Sequence, residues 1–267
     1  MSEGRKAILV VSFGTSYEET RKKTIDRIEE CVAERFPAWK VYRAWTSGMI
    51  RRKIEKRDGI RIPDVKGALI QMAADGMTEV VVQPTHVLNG IENDQMQETV
   101  NACQHLFSKV VSGNPLLTTQ EDNRRMIQIV AQELEPKAEE ALVLMGHGTE
   151  HYANAIYAAL DYQFKDMGYP NIFMGTVEAY PALDSLIRQV KEKGLKKVVL
   201  APFMIVAGDH AANDLAGADE DSWKNRFEKA GFEVTCVLKG LGEYPGVREL
   251  VLDHVLEAMD RGEMSET

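Results

Sequence analysis

Residues 64–90, DVKGALIQMAADGMTEVVVQPTHVLNG, recur as residues 182–208, ALDSLIRQVKEKGLKKVVLAPFMIVAG. At constant offset Leu69 matches Ile187, Gly76 matches Gly194, and Val80 and Val81 match Val198 and Val199. Pro84 then matches Pro202, and Gly90 matches Gly208. Each copy reads as an amphipathic helix, a glycine stop, a charged turn and a continuous β-branched run. Such a run suits a strand covered on both faces, hence a parallel sheet. The starts of the halves also correspond: AILVVSFGTS (7–16) and ALVLMGHGTE (141–150) are apolar strands that break at Gly-Thr and lead into helical patterns. The second strands are VYRAWTSG and IFMGTVEAY, and the two ends match loosely.

A unit written twice has to be built as two similar lobes, and 267 residues suffice for two of ordinary size. Strand alternates with helix about four times per half. The fold class expected is therefore α/β, with two similar Rossmann-like lobes, each a doubly wound parallel sheet flanked by helices. The boundary is expected in the polar stretch ELEPKAEEA, giving an N-terminal lobe of residues 1–135 and a C-terminal lobe of 136–267. A helix near the C-terminus could cross back onto the first lobe.

Composition narrows the function classes. A net charge of −9 argues against nucleic acid as a partner. No apolar run approaches membrane-spanning length, and MSEGRKAILVVSFGTS reads as a buried strand rather than an export signal, so no membrane partner and a cytoplasmic location are expected. Cys31, Cys103 and Cys236 are scattered, which excludes a disulfide framework and a cysteine-based metal site. Neither SFGTS nor GHGTE fits a dinucleotide fingerprint or a P-loop, and no G-x-S-x-G elbow is present.

In open α/β sheets ligands bind beyond the carboxyl ends of the strands, and the unusual residues fall there. After the first strand of the second half comes His147, where the first half has Phe13; after the second comes Glu178, aligned with Thr46; after the third comes His210, aligned with Glu92. Equivalent halves ordinarily keep equivalent core residues, whereas metal donors need gather on one side only. Two imidazoles and a carboxylate suit Co²⁺, Fe²⁺, Ni²⁺ or Zn²⁺ and leave coordination positions open, as a metal donor requires. Singly each residue has a plainer reading: a strand-end histidine is more often a hydrogen-bonded structural group, and Glu178 could serve a helix N-terminus. His86 lies where the second half has Met204, and His151 is placed one turn past His147 as a possible supporting group. His105 and His254 lie in helical patterns beside polar neighbours and are expected on the surface.

SFGTSY, RAWTSGM, HVLNG, MGHG, VEAYP and VAGDHAANDLAG…DSWK together resemble the anaerobic cobaltochelatases of the CbiK type, class II chelatases distantly related to ferrochelatase. The similarity runs from about residue 6 to 250. The resemblance implies a chelatase-like fold with a tetrapyrrole bound between the lobes. It further implies metal held by His147, Glu178 and His210, and insertion of Co²⁺ into sirohydrochlorin in the anaerobic cobalamin pathway. Glu92 is implicated in catalysis through the HxxNG motif, although Ile91 and Asn93 beside it depart from the family pattern. The catalytic groups are then His147, His210 and Glu92. Substrate contacts are expected from Ser12, Phe13, Thr15, Thr46, Ser47, Met49, Arg51 and His86, with Trp45 and Met204 as further apolar wall. Arg43, Arg51, Arg52 and Lys53 are the local counter-charges for the substrate's carboxylates. No cofactor is required. Co²⁺ is the substrate metal, with Fe²⁺ or Ni²⁺ as alternatives, and self-assembly is left open. Iron insertion for sirohaem, a non-catalytic metal or tetrapyrrole carrier, and a two-lobed solute binder are the competing functions.

Overall fold

The computed structural model describes residues 5–264. In chain order the elements are β1 (Lys6–Ser12), α1 (Glu18–Arg21), a π-turn (Lys22–Asp26), α2 (Arg27–Arg35), β2 (Lys40–Trp45), α3 (Gly48–Asp58), α4 (Val65–Ala74), β3 (Glu79–Pro84), α5 (Ile91–Cys103) and β4 (Lys109–Ser112). They continue as α6 (Gln120–Leu134), β5 (Glu140–Gly146), α7 (Ala155–Asp166), β6 (Ile172–Thr176), α8 (Leu183–Glu192) and β7 (Lys197–Pro202). A second π-turn (Ala211–Leu215), α9 (Trp223–Lys229), β8 (Glu233–Cys236) and α10 (Pro245–Arg261) complete the chain.

The strands form two four-stranded sheets, ordered β2-β1-β3-β4 and β6-β5-β7-β8. Every pairing is parallel, so both sheets have one topology. The registers agree as well: Ala7 pairs with Val80 in the first sheet and Ala141 with Val198 in the second. The expected pair of doubly wound parallel sheets is present. Ala7, Ile8, Leu9, Val10 and Val11 are all fully buried, because helices cover both faces of β1; burying one Val, Leu or Ile side chain contributes about 1.5–3 kcal/mol. The apolar N-terminal run is thus a central strand. Gly76 and Gly194 stop their helices with φ of 79° and 73°, a backbone region that glycine enters without a Cβ penalty.

The chain divides into two compact units, residues 1–118 with 245–267, and residues 119–244. This differs from the boundary expected near residue 135. The helix α6 starts the second unit: a capping box opens it, with the Thr119 hydroxyl accepting from the Asp122 amide and the Asp122 carboxylate from the Thr119 amide, and it packs on α7. The helix α10 belongs to the first unit, packed on α2, β3 and β4 through Val247, Leu250, Val251, Val255, Ala258 and Met259. The crossing back of a C-terminal helix is therefore observed. It also corrects the placement of His254, which is 1% exposed, its Nδ1 3.1 Å from the Asn114 carbonyl oxygen. His105 is exposed, as expected. Among the described residues no helix is long and apolar enough to cross a membrane.

Candidate metal centre

In the second unit the chain passes from β5 to the β6 side of the sheet and later returns to β7 on the other side, so β5 and β7 flank the topological switch point, where open α/β sheets bind ligands. His147 follows β5, Glu178 follows β6, and His210 lies just before the π-turn that succeeds β7.

Backbone bonds extend the sheet past its formal ends and fix these positions. The Val177 and Glu178 amides donate to the carbonyls of Gly146 and His147, both at 3.0 Å, and the Phe203 amide donates to the Met145 carbonyl at 2.7 Å. Two glycines make the turn possible. A Cβ on Gly146 would stand 2.4 Å from the Tyr157 ring. Gly148 has φ +88°, and a Cβ there would meet the Ala179 nitrogen at 2.9 Å and the Ala179 and Thr176 Cβ atoms at 3.0 Å. The Asn154 side chain ties the two loops: its Oδ1 accepts from the Thr149 amide at 3.1 Å, and its Nδ2 donates to the Tyr180 carbonyl at 2.7 Å.

The result is a cluster. His147, Glu178 and His210 each present a ligand atom within 4.8 Å of the others. The imidazole rings of His147 and His210 meet edge to face, with centroids 4.6 Å apart and planes at 89°. His147 Nδ1 lies 2.9 Å from the Gly148 carbonyl oxygen and 3.6 Å from Glu178 Oε2. His210 Nδ1 lies 2.7 Å from Asp214 Oδ2. The Glu178 side chain is 54% exposed. Two imidazoles and one carboxylate, partly open to solvent, are a donor set for Co²⁺, Fe²⁺, Ni²⁺ or Zn²⁺ with positions to spare.

The hydrogen bonding also tests the comparison between halves. Ser47 donates its amide to the Phe13 carbonyl at 3.1 Å, the same bond that Glu178 makes to His147. Glu178 therefore corresponds to Ser47, and Thr46 to Val177, one residue away from the alignment by sequence. The other pairs stand. The Thr85 amide bonds Val11 as Phe203 bonds Met145, and Leu116 bonds His86 as Leu241 bonds Met204. Asp94 bonds Gly90 as Ala212 bonds Gly208, which sets Glu92 opposite His210 in the count.

The remaining predicted substrate contacts, Met204 apart, lie in the first unit. Phe13 and Met49 are exposed, at 42% and 69%. Ser12, Thr15 and Ser47 are buried: Ser12 accepts from the Thr85 hydroxyl at 2.9 Å, the Thr15 hydroxyl accepts from the Tyr17 amide, and Ser47 caps α3 through the Ile50 amide. Thr46 Oγ1 and Trp45 Nε1 are buried without a partner. Arg51 pairs with Asp64 at 3.4 Å. Glu92 is half-buried in the first turn of α5. Both ring nitrogens of His86 are buried and unpartnered, and burial pushes its pKa down to about 4.

Two expectations change. Arg43 is not a free counter-charge: its guanidinium is held by Glu29 at 2.8 Å and by Asp26. His151 does not support the cluster through Nδ1, which instead accepts from the Ala153 amide at 3.2 Å and caps a short turn. Sequence reasoning missed Asp214 and Asn154. The first was signalled by its spacing of four residues after His210; the second had no signal, because its partners are backbone groups brought together by the fold.

The family described as cobalt chelatase (CbiK) matches residues 6–260. The chain belongs to that family. It is 42% identical over 257 residues to the sirohydrochlorin cobaltochelatase of Salmonella typhimurium, covering 96% of this chain and 97% of that one. It is 34% identical to sirohydrochlorin cobaltochelatase CbiKC of Nitratidesulfovibrio vulgaris, over 96% of this chain and 91% of that one. The solved structure of SirB from Bacillus subtilis with Fe³⁺ superposes with a TM-score of 0.68 at 13% identity, covering 98% of this chain and 100% of the other; at that identity the likeness concerns the fold. A CbiK-family chain with a two-sheet parallel α/β fold thus meets the fold and family expected from sequence, and His147, Glu178 and His210 lie together in it.

Proposed function

We propose that this chain is a sirohydrochlorin cobaltochelatase, which inserts Co²⁺ into sirohydrochlorin. The observation that carries the proposal is the convergence of His147, Glu178 and His210 on one point, in a chain whose relatives at 42% and 34% identity are named for that reaction. The ion is a substrate, so its site must release it. Three donors, all partly exposed, support loose and incomplete coordination, in contrast to the closed tetrahedral cage of a structural site.

Insertion exchanges two pyrrole N–H protons for one M²⁺. His147, Glu178 and His210 hold the ion and replace part of its water shell, which lowers the cost of stripping the rest as ring nitrogens take over. The protons need acceptors, a task that imidazole and carboxylate both fit; in this reading one of the histidines, once its ring nitrogen has passed the ion to the macrocycle, or Glu92 takes them. Phe13 and Met49 offer exposed apolar surface to a macrocycle, and Arg51, Arg52 and Lys53 offer charge to its carboxylates. Ser12, Thr15, Thr46, Ser47 and His86 shape the strand ends on which those contacts stand. The compartment proposed is the cytoplasm, and no cofactor enters the scheme.

The test is incubation with sirohydrochlorin and Co²⁺, Fe²⁺ or Ni²⁺ in turn, following the absorbance change of metal insertion. Acceleration with Co²⁺, lost in His147→Ala and His210→Ala, is the expected result. No acceleration with any of the metals overturns the activity, and faster insertion of Fe²⁺ than of Co²⁺ overturns the choice of metal.

A further inference from the structure

We propose that Asp214 is a positioning residue for the metal. Its carboxylate locks the His210 imidazole as the Nδ1–H tautomer and turns Nε2 toward the ion. The inference rests on the metal-site reading above and extends it to a residue that does not touch the metal.

Three observations converge on this role. The first is contact: His210 Nδ1 and Asp214 Oδ2 are 2.7 Å apart, the short distance of a charge-assisted hydrogen bond. A carboxylate oxygen at that distance accepts from an imidazole N–H, which places the ring proton on Nδ1 and leaves Nε2 with the lone pair. The second is local backbone. Asp214 lies in the π-turn Ala211–Leu215 that begins directly after His210, an uncommon form that recurs at functional sites. The third is the comparison between halves. Counted from Gly90 and Gly208, Asp214 takes the place of Met96, a core residue only 1% exposed. The second half carries a carboxylate there, and it is the second half that carries a histidine at the position of Glu92.

The two histidines are consequently supported unequally. The nearest partner of His147 Nδ1 is a neutral carbonyl, that of Gly148 at 2.9 Å, with Glu178 Oε2 farther off at 3.6 Å, whereas the nearest partner of His210 Nδ1 is a carboxylate. Hydrogen bonds to ionised groups are about twice as strong as neutral ones, and carboxylate support of a ligating histidine strengthens its donation to the metal. His210 is thus the firmer holder of the ion.

The experiment measures the protein with Co²⁺ alone, by calorimetry and by the visible d–d absorption of the bound ion. It adds long-range ¹H–¹⁵N spectra of the metal-free protein to read the His210 tautomer. Wild type binds Co²⁺ with His210 as Nδ1–H. Asp214→Ala weakens binding about 10–100-fold, alters the d–d bands and lets the ring populate Nε2–H. Asp214→Glu recovers the wild-type tautomer and part of the affinity, while Asp214→Asn, similar in size but uncharged, recovers less. If wild type binds no Co²⁺, the metal-site reading itself fails. If wild type binds and folded Asp214→Ala shows the same affinity, bands and tautomer, the role of Asp214 alone is overturned.

Discussion

Gly148 and Gly168 form a natural pair for measuring what holds the metal cluster in place. Both sit in the second unit with nearly the same backbone, φ +88° and +91°. Alanine at either site enters a left-handed region that costs about 1–2 kcal/mol for a residue with a Cβ. The surroundings differ. Nothing lies within 4 Å of a Cβ built on Gly168, whereas one on Gly148 meets the Ala179 nitrogen at 2.9 Å and two Cβ atoms at 3.0 Å. Backbone cannot swing aside as a flexible side chain would, so Gly148→Ala adds an overpacking cost of about 1–3 kcal/mol. At about 2–4 °C per kcal/mol in chains near this size, Gly148→Ala should melt about 2–12 °C below Gly168→Ala. The same push displaces Ala179, the neighbour of Glu178, and strains the bond from the Glu178 amide to the His147 carbonyl. Co²⁺ affinity should therefore fall about tenfold or more in Gly148→Ala and stay unchanged in Gly168→Ala. Equal melting temperatures, or wild-type Co²⁺ binding by Gly148→Ala, would refute the argument that crowding at this turn fixes the donors.

The other predictions concern the first unit. His86 is held near pKa 4 by burial, so between about pH 6.5 and 4 the unfolded chain carries a proton here that the folded chain lacks, and stability falls with acid by about 1.4 kcal/mol per pH unit. His86→Met, which installs the residue of the other half, should flatten that part of a denaturation-versus-pH curve; an unchanged slope refutes it. Arg43→Ala should cost about 3 kcal/mol in urea denaturation, because it strands Glu29, whose pKa burial already raises against the pull of Arg43. Co²⁺ affinity should not change, and a stability loss under about 1 kcal/mol would show the network to be dispensable. Finally, Phe13→His, Ser47→Glu and Glu92→His together should give the first unit a second Co²⁺ site, read as two ions per chain by calorimetry. One ion per chain in a folded triple variant counts against the equivalence of the two frames.

What sequence alone could supply followed from the kind of information each feature needs. The two sheets were legible because a buried parallel strand must be apolar on both faces, which leaves runs such as AILVV and ALVLM that require no knowledge of the partner strand. His147 and His210, two members of the His-Glu-His cluster, were legible as departures from a repeat. Glu178 was found, but its counterpart was misplaced by one residue, since the register past a strand end is set by hydrogen bonds that no side-chain pattern records. The helices α6 and α10 show the same limit: each has a clear apolar face, yet nothing in an amphipathic stripe says which sheet it covers. That is why the boundary fell at 118 instead of 135 and why His254, on the covered face of α10, was expected in solvent. Arg43 looked like a free cation because Asp26 and Glu29 come to it from other elements, the first π-turn and α2.

The two halves share their frame and differ in their chemistry, and the division follows atom type. The bonds that shape each strand end run between backbone groups: Ser47 to Phe13 and Glu178 to His147, Asp94 to Gly90 and Ala212 to Gly208. None depends on side-chain identity, so a duplicated chain could keep this geometry while the side chains drifted. Where the first half places Phe13, Ser47, Glu92 and Met96, the second places His147, Glu178, His210 and Asp214. Three of these four form the proposed donor set, and the fourth is hydrogen-bonded to one of them. A histidine in place of an exposed phenylalanine and a glutamate in place of a capping serine do little for packing, and the aspartate in place of a buried methionine has a side chain 44% exposed. Their common property is that together they can hold a divalent ion, and the shared backbone brings them to one end of one sheet.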